Sequence, residues 1–239
     1  MAKKTNKWKL YSIGIVLLIL GYIAGNVGTF LTDEDCNAFK ASTLDTSATE
    51  GQRNEPAAPE LPESVDENGF YYIGSKDAPI TMTEFTDYQC PFCQKYYFGA
   101  YQQIKETYIK EGKIKYVVAT PLPYHSNSGV ATSAALCAGE QGNFFGMHEK
   151  LFTYQSAWSY SETPETEISK YAKDLNLDTE KFQTCLANGA TNFAENIATA
   201  MKESGKHGLQ GTPSFAIGNT PFVGAQPFAS FEEVIEGTL

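Results

Sequence analysis

The alternation of apolar and polar positions divides the chain into three stretches. An uncharged run from Leu10 to Thr32, centred on Ile13-Gly14-Ile15-Val16-Leu17-Leu18-Ile19-Leu20, follows Lys3, Lys4, Lys7 and Lys9. As a helix it would measure about 34 Å at ~1.5 Å per residue, enough to cross a hydrocarbon core of ~30 Å. The lysines before it and Asp33-Glu34-Asp35 after it orient residues 1–9 toward the cytoplasm and the remainder outward. A cleaved export signal competes with this reading, but the segment is long for one and no Ala-x-Ala follows it. The expectation is an uncleaved transmembrane anchor over 10–32, with the rest of the chain outside the cytoplasm. Residues 33–68 then lose apolar periodicity and carry Pro56, Pro59 and Pro62 among acids, Ser and Ala. Such a stretch reads as a disordered linker, reaching on the order of 35 Å as a flexible coil.

From about Gly69 the pattern becomes that of a folded domain running to Leu239. Phe70–Gly74 reads as a short strand or turn, and Ile80–Thr86 as a strand buried in places on both sides. Residues 91–111 read as a helix ending at Gly112, and Ile114–Thr120 as a second, β-branched strand closed by Pro121-Leu122-Pro123. This βαβ unit predicts a parallel pair. Residues 126–204 read as a helical block, with helices over Ser128–Glu140, Phe144–Tyr154, from Pro164, and over Thr179–Ala187 and Thr191–Ser204. Phe144, Phe145, Met147, His148, Leu151 and Phe152 form a stripe at helical spacing, read as core. The chain closes with a strand over Pro213–Ile217, a hairpin partner over Pro221–Gly224, and a helix over Phe228–Glu236 for which Ser230 is a candidate cap. No internal repeat is evident.

The chemistry lies where the first strand meets the first helix, at Cys90-Pro91-Phe92-Cys93. Unpaired backbone N–H groups and the positive end of the macrodipole at a helix start stabilise a thiolate, lowering a cysteine from ~8.5 to roughly 3.5–7.5. Cys90 falls at the N-cap and is the expected nucleophile. Cys93 lies one turn on, on the same face, and Pro91 suits the first helical position. Half a zinc site and an inert disulfide are the alternatives. No second Cys-x-x-Cys and no His-x-x-x-His completes a metal set, and a thiol pair after a strand and before a helix is the setting of redox motifs. The formal charge of −10 argues against a nucleic-acid partner. Cys36, after Asp33-Glu34-Asp35, does not resemble a lipid-attachment cysteine; a free thiol, an intermolecular bridge or a functionless cysteine all fit it. Cys137 and Cys185, both in the helical block, are a candidate structural disulfide in an exported domain, two buried thiols being the alternative.

Taken together, these motifs resemble the DsbA-type thiol:disulfide oxidoreductases, in membrane-tethered form. The resemblance covers about residues 69–239. It rests on Glu84-Phe85-x-x-x-x-Cys90-Pro91-Phe92-Cys93, Pro121-Leu122-x-x-His125, Cys137-Ala138-x-Glu140-Gln141-Gly142-x-Phe144 and Gly211-Thr212-Pro213-Ser214-Phe215. It implies an α/β, thioredoxin-like fold split by a helical insertion (about 126–204), preceded by the one transmembrane helix. It also implies a cis Thr212–Pro213 bond that sets the Thr212 backbone beside Cys90, where an extended client could pair. Glu84 takes the position of a buried acid that moves the proton of Cys93. Several relatives carry Pro-His between the cysteines. Phe92 can neither donate a hydrogen bond nor carry charge, so a less depressed Cys90 and a less oxidising couple are expected. His125 reads as a loop histidine near the active face without catalytic duty, His148 as packing and His207 as surface. The resemblance further implies a disulfide-forming oxidase acting on exported cysteine-containing clients, with no cofactor and no metal, reoxidised by a membrane quinone-linked protein. The chain is expected to be a monomer. A reductase or isomerase using the same pair, and a non-catalytic peptide-binding module, remain the alternatives.

Overall fold

A computed structural model of the protein describes residues 61–239. The basic segment 1–9, the anchor over 10–32, Cys36 and most of the 33–68 linker lie outside the described residues. Among the described residues no helix is long and apolar enough to cross a membrane.

Six strands form one sheet: β1 (Ser64–Val65), β2 (Tyr71–Ile73), β3 (Ile80–Phe85), β4 (Ile114–Val118), β5 (Ser214–Ile217) and β6 (Thr220–Val223). Their order is β1-β2-β4-β3-β5-β6. β3 and β4 run parallel, from Ile80 opposite Ile114 to Glu84 opposite Val118, and the other neighbours are antiparallel. The βαβ reading therefore holds, and α1 (residues 91–109) is its crossover. α1 is α-helical over Pro91–Tyr96 and Gln102–Ile104, with π-helical turns over Tyr97–Tyr101 and Lys105–Ile109. Pro221 is tolerated in β6 because that strand lies at the sheet edge, where a missing N–H breaks no ladder.

The central strands are apolar on both faces because both faces are covered. On one face Ile80, Met82, Tyr116, Val118, Phe215 and Ile217 pack with Tyr96, Ile104 and Tyr108 of α1, and with Phe231 and Ile235 of α8 (Phe228–Glu236). On the other, Phe85, Val117, Ala119 and Ala216 pack with Leu122, Leu209 and Ala200 of α7 (Ala194–Lys206).

The insertion comprises α2 (Ser128–Gly139), α3 (Phe144–Thr153), α4 (Gln155–Trp158), α5 (Pro164–Asp174) and α6 (Thr179–Asn192). α2 buries an unbroken run from Ala131 to Ala138, as a helix enclosed by its neighbours must. α6 lies close against it: a Cβ on Gly189 would stand 2.4 Å from Ser133 Cβ. A disulfide joins Cys137 of α2 to Cys185 of α6, with Cα atoms 5.8 Å apart.

Several boundaries differ from the sequence reading. The ordered body begins before Gly69, because β1 pairs with β2 and the Glu63 carboxylate accepts the Phe144 and Phe145 amides at the start of α3 (2.8 and 2.9 Å). A two-residue strand among acids and prolines has no periodicity to detect. α6 continues through Gly189, where the glycine serves close packing rather than a break. Ser230 sits inside α8, whose N-cap is Pro227.

Candidate active site

Cys90 occupies the N-cap of α1 with extended backbone (φ −73°, ψ 122°), and Pro91 is the first helical residue. The cap forms here because β3 ends at Phe85 and the chain turns through Asp87–Cys90, where the Cys90 amide bonds the Asp87 carbonyl at 3.1 Å. The N-terminal amides of α1 are thereby left facing the Cys90 sulfur, as N-terminal helical donors are.

The two sulfurs occupy unlike settings. Cys90 is lowered to about 5, first by the hydrogen bond from the Cys93 thiol, then by the backbone amides of Cys93 and Phe92 and by Thr212, against the opposing effect of its own burial. Cys93 is fully buried, and burial pushes its thiol well above the ordinary value, with the neighbouring Cys90 sulfur adding to the rise. The Asp87 amide donates to Cys93 Sγ at 3.5 Å. Cys90 is 6% exposed and opens onto a surface depression of about 490 Å³, shared with Tyr124, His125, Leu209, Gln210, Gly211 and Thr212. A sulfur at the floor of an open depression is within reach of an incoming chain. Phe92 is 62% exposed, so thiolate stabilisation at this position comes from its backbone and not from its side chain.

The remaining residues singled out in the sequence fall around this pair. The Thr212–Pro213 peptide is cis, and the Thr212 carbonyl oxygen lies 3.5 Å from Cys90 Sγ. Glu84 is buried on β3, between β4 and β5, and its Oε2 accepts a short hydrogen bond from the Tyr116 hydroxyl. Its Oε1 has no partner among the described residues. Burial raises Glu84 from 4.5 to about 7, while the hydrogen bond from Tyr116 pulls the other way. The Thr86 hydroxyl is buried near both groups and makes no hydrogen bond among the described residues. Cys137 and Cys185 lie apart from this group, in the insertion. His148 is buried in the aromatic core, and burial lowers it to about 3.

Sequence reasoning missed the frame that holds the loop. Asp87 is fully buried and accepts from the Gln89 amide (2.8 Å), the Ser128 hydroxyl (2.5 Å), the Tyr124 amide (3.0 Å) and the His125 Nδ1 (2.7 Å). Gln155 of α4 donates to the carbonyls of Tyr88 (2.7 Å) and Cys90 (3.2 Å). Gln89 accepts from the Asn127 amide at 2.8 Å, and donates to the Ser159 carbonyl. Nothing local marks Asp87, which follows Thr83, Glu84 and Thr86 and precedes Gln89 on an approach that is already polar. The glutamine bonds span 38 to 70 residues and leave no local pattern. Among the described residues no group of three or more His, Cys, Asp or Glu could hold a metal ion.

The comparisons agree with this architecture. A family model described as thioredoxin matches residues 66–237. The Na(+)/H(+) antiporter NhaA 3 of Salinispora tropica is 31% identical over 64% of this chain, but the match spans only 22% of that protein's length. The disulfide bond formation protein D of Bacillus subtilis is 24% identical, over 70% of this chain and 76% of its own. Among solved structures, alpha-DsbA1 of Wolbachia pipientis superposes with a TM-score of 0.64 at 22% identity, covering 73% of this chain and 92% of that one. The chain belongs to the thioredoxin family, and its helical insertion gives it the fold of a DsbA protein.

Proposed function

We propose that this protein is a thiol:disulfide oxidoreductase that forms disulfides in exported cysteine-containing proteins. The observation that carries the reading is the asymmetry of the pair, an accessible sulfur that is acidic beside a buried one that is not. In the oxidised enzyme a client thiolate attacks Cys90 Sγ and the Cys90–Cys93 bond breaks. The Cys93 sulfur leaves with the electron pair and takes up a proton, which its buried setting favours. Glu84, buried and near neutrality, is the proposed source of that proton. The mixed disulfide rests against the Thr212 and Pro213 backbone. A second client thiolate then attacks the client sulfur of the mixed bond and expels Cys90. A sulfur lowered to about 5 is a good leaving group, and its ionisation stabilises the reduced enzyme, so the disulfide is readily given away.

We further propose that residues 10–32 anchor the protein in the cell membrane, with the catalytic domain on the extracytoplasmic side and a quinone-linked membrane protein restoring the disulfide. The names disulfide bond formation protein and DsbA, carried by relatives and structural neighbours, support the oxidative direction. The test follows oxidative refolding of a reduced client and insulin reduction in parallel, at a defined glutathione poise, with wild type and Cys90→Ser. The reading expects client oxidation to outrun insulin reduction and to disappear in the variant. Insulin reduction as the faster reaction would assign a reductase, and client binding without turnover in wild type would assign a binding module.

A further inference from the structure

We infer that His125, held by Asp87, is the base that deprotonates the incoming client thiol at the mouth of the Cys90 site. The inference rests on the exchange chemistry proposed above and adds a residue to it.

The argument starts from Asp87. A buried carboxylate normally has its oxygens satisfied by hydrogen bonds, and each Asp87 oxygen accepts two. Two of these donors, the Tyr124 amide and the His125 ring, come from the loop after β4. Asp87 therefore fixes both the backbone beside His125 and the imidazole itself. An acceptor-only partner at 2.7 Å requires Nδ1 to carry the hydrogen. The neutral ring then has its lone pair on Nε2, which has no hydrogen-bond partner among the described residues. The side chain is 45% exposed and lines the same depression as Cys90. Asp87 thus holds from beneath an imidazole that shares the depression with the Cys90 sulfur, the arrangement in which an aspartate orients a histidine base beside a reacting thiol or hydroxyl.

The reaction needs such a group on the client's side. Alkyl thiols titrate near ~8.5, so at neutral pH only a few per cent is thiolate. His125 Nε2 takes the client S–H proton, the client thiolate attacks Cys90 Sγ, and the Cys90–Cys93 bond breaks toward Cys93. The proton then leaves the imidazolium to solvent through its exposed face. The ionisable side chains facing His125 are Asp87, the Cys90 thiol and the neighbouring Tyr124 hydroxyl. Leu209, Gln210, Gly211 and Thr212 complete the walls without charge.

The test mixes the oxidised full-length protein, wild type or His125→Ala, with two nucleophiles at pH 7. One is an alkyl dithiol peptide; the other is an aromatic thiol already ionised at that pH. The variant is expected to react roughly tenfold more slowly with the alkyl dithiol, within the ceiling of about thirtyfold set by a thiol of pKa ~8.5 at pH 7. It should keep the wild-type rate with the aromatic thiolate, and the alkyl deficit should close above about pH 9, where the peptide ionises unaided. The reduction potential of the pair should be unchanged, which separates the role from damage to the active loop. Equal slowing with both nucleophiles, or slowing with neither, overturns the inference. A wild-type protein that exchanges with neither nucleophile removes the proposed function itself.

Discussion

Cys90 and Cys93 are the same residue three positions apart, and their surroundings drive them in opposite directions. One faces amides and an open depression; the other is enclosed. Glu84 illustrates the same principle for a carboxyl. Burial lifts it to about 7 from 4.5, so between those values the folded protein holds a proton that the unfolded chain has released. The associated stability is complete below about 4.5 and declines as pH rises through 7, by on the order of 3 kcal/mol. Glu84→Gln, which keeps an acceptor for Tyr116, is expected to flatten that decline in denaturant titrations from pH 4.5 to 8. An unchanged slope would show that Glu84 is ionised throughout. At this scale the cysteines were legible because a thiol pair at a strand–helix junction has few other uses. Asp87 was not: its partners at 124, 125 and 128 are joined to it only by the parallel pairing of β3 with β4.

Elements supply what single residues cannot. The N-terminus of α1 gives Cys90 its amides, and α4 reaches across with Gln155 to hold the Cys90 and Tyr88 carbonyls. The insertion thus supports the active loop, and its own cohesion matters to the site. The Cys137–Cys185 bond closes a sequence separation of 48, worth up to ~4 kcal/mol in loop-closure entropy. The paired variant Cys137→Ser/Cys185→Ser should lose stability by up to that amount in urea titrations while retaining exchange at Cys90. A loss below about 0.5 kcal/mol would mean that α2 and α6 are held by packing alone. Long periodic elements such as α3 and α8 were readable close to both observed ends, and α5 at its start. α4 was not, since four residues carry no period, and the π turns of α1 leave no sequence signature that distinguishes them from ordinary helix.

For the whole molecule, the ionisation of Cys90 links redox state to stability. Its folded value lies near 5 against an ordinary 9.0, so the reduced protein gains stability as pH rises above 5, until about 9, where the raised Cys93 thiol begins to oppose it. The form with Cys90 and Cys93 oxidised, its Cys137–Cys185 bond intact, has no such group. Reduced protein should therefore unfold at higher denaturant concentration than oxidised protein at pH 7, with the gap narrowing toward pH 5. A gap of the opposite sign would reverse the proposed direction of exchange. All of this depends on the acidity of one sulfur, which the pH dependence of Cys90 alkylation by iodoacetamide reports directly in the reduced protein. The account expects a half-maximal rate near pH 5, and a midpoint near the ordinary 9.0 would contradict it.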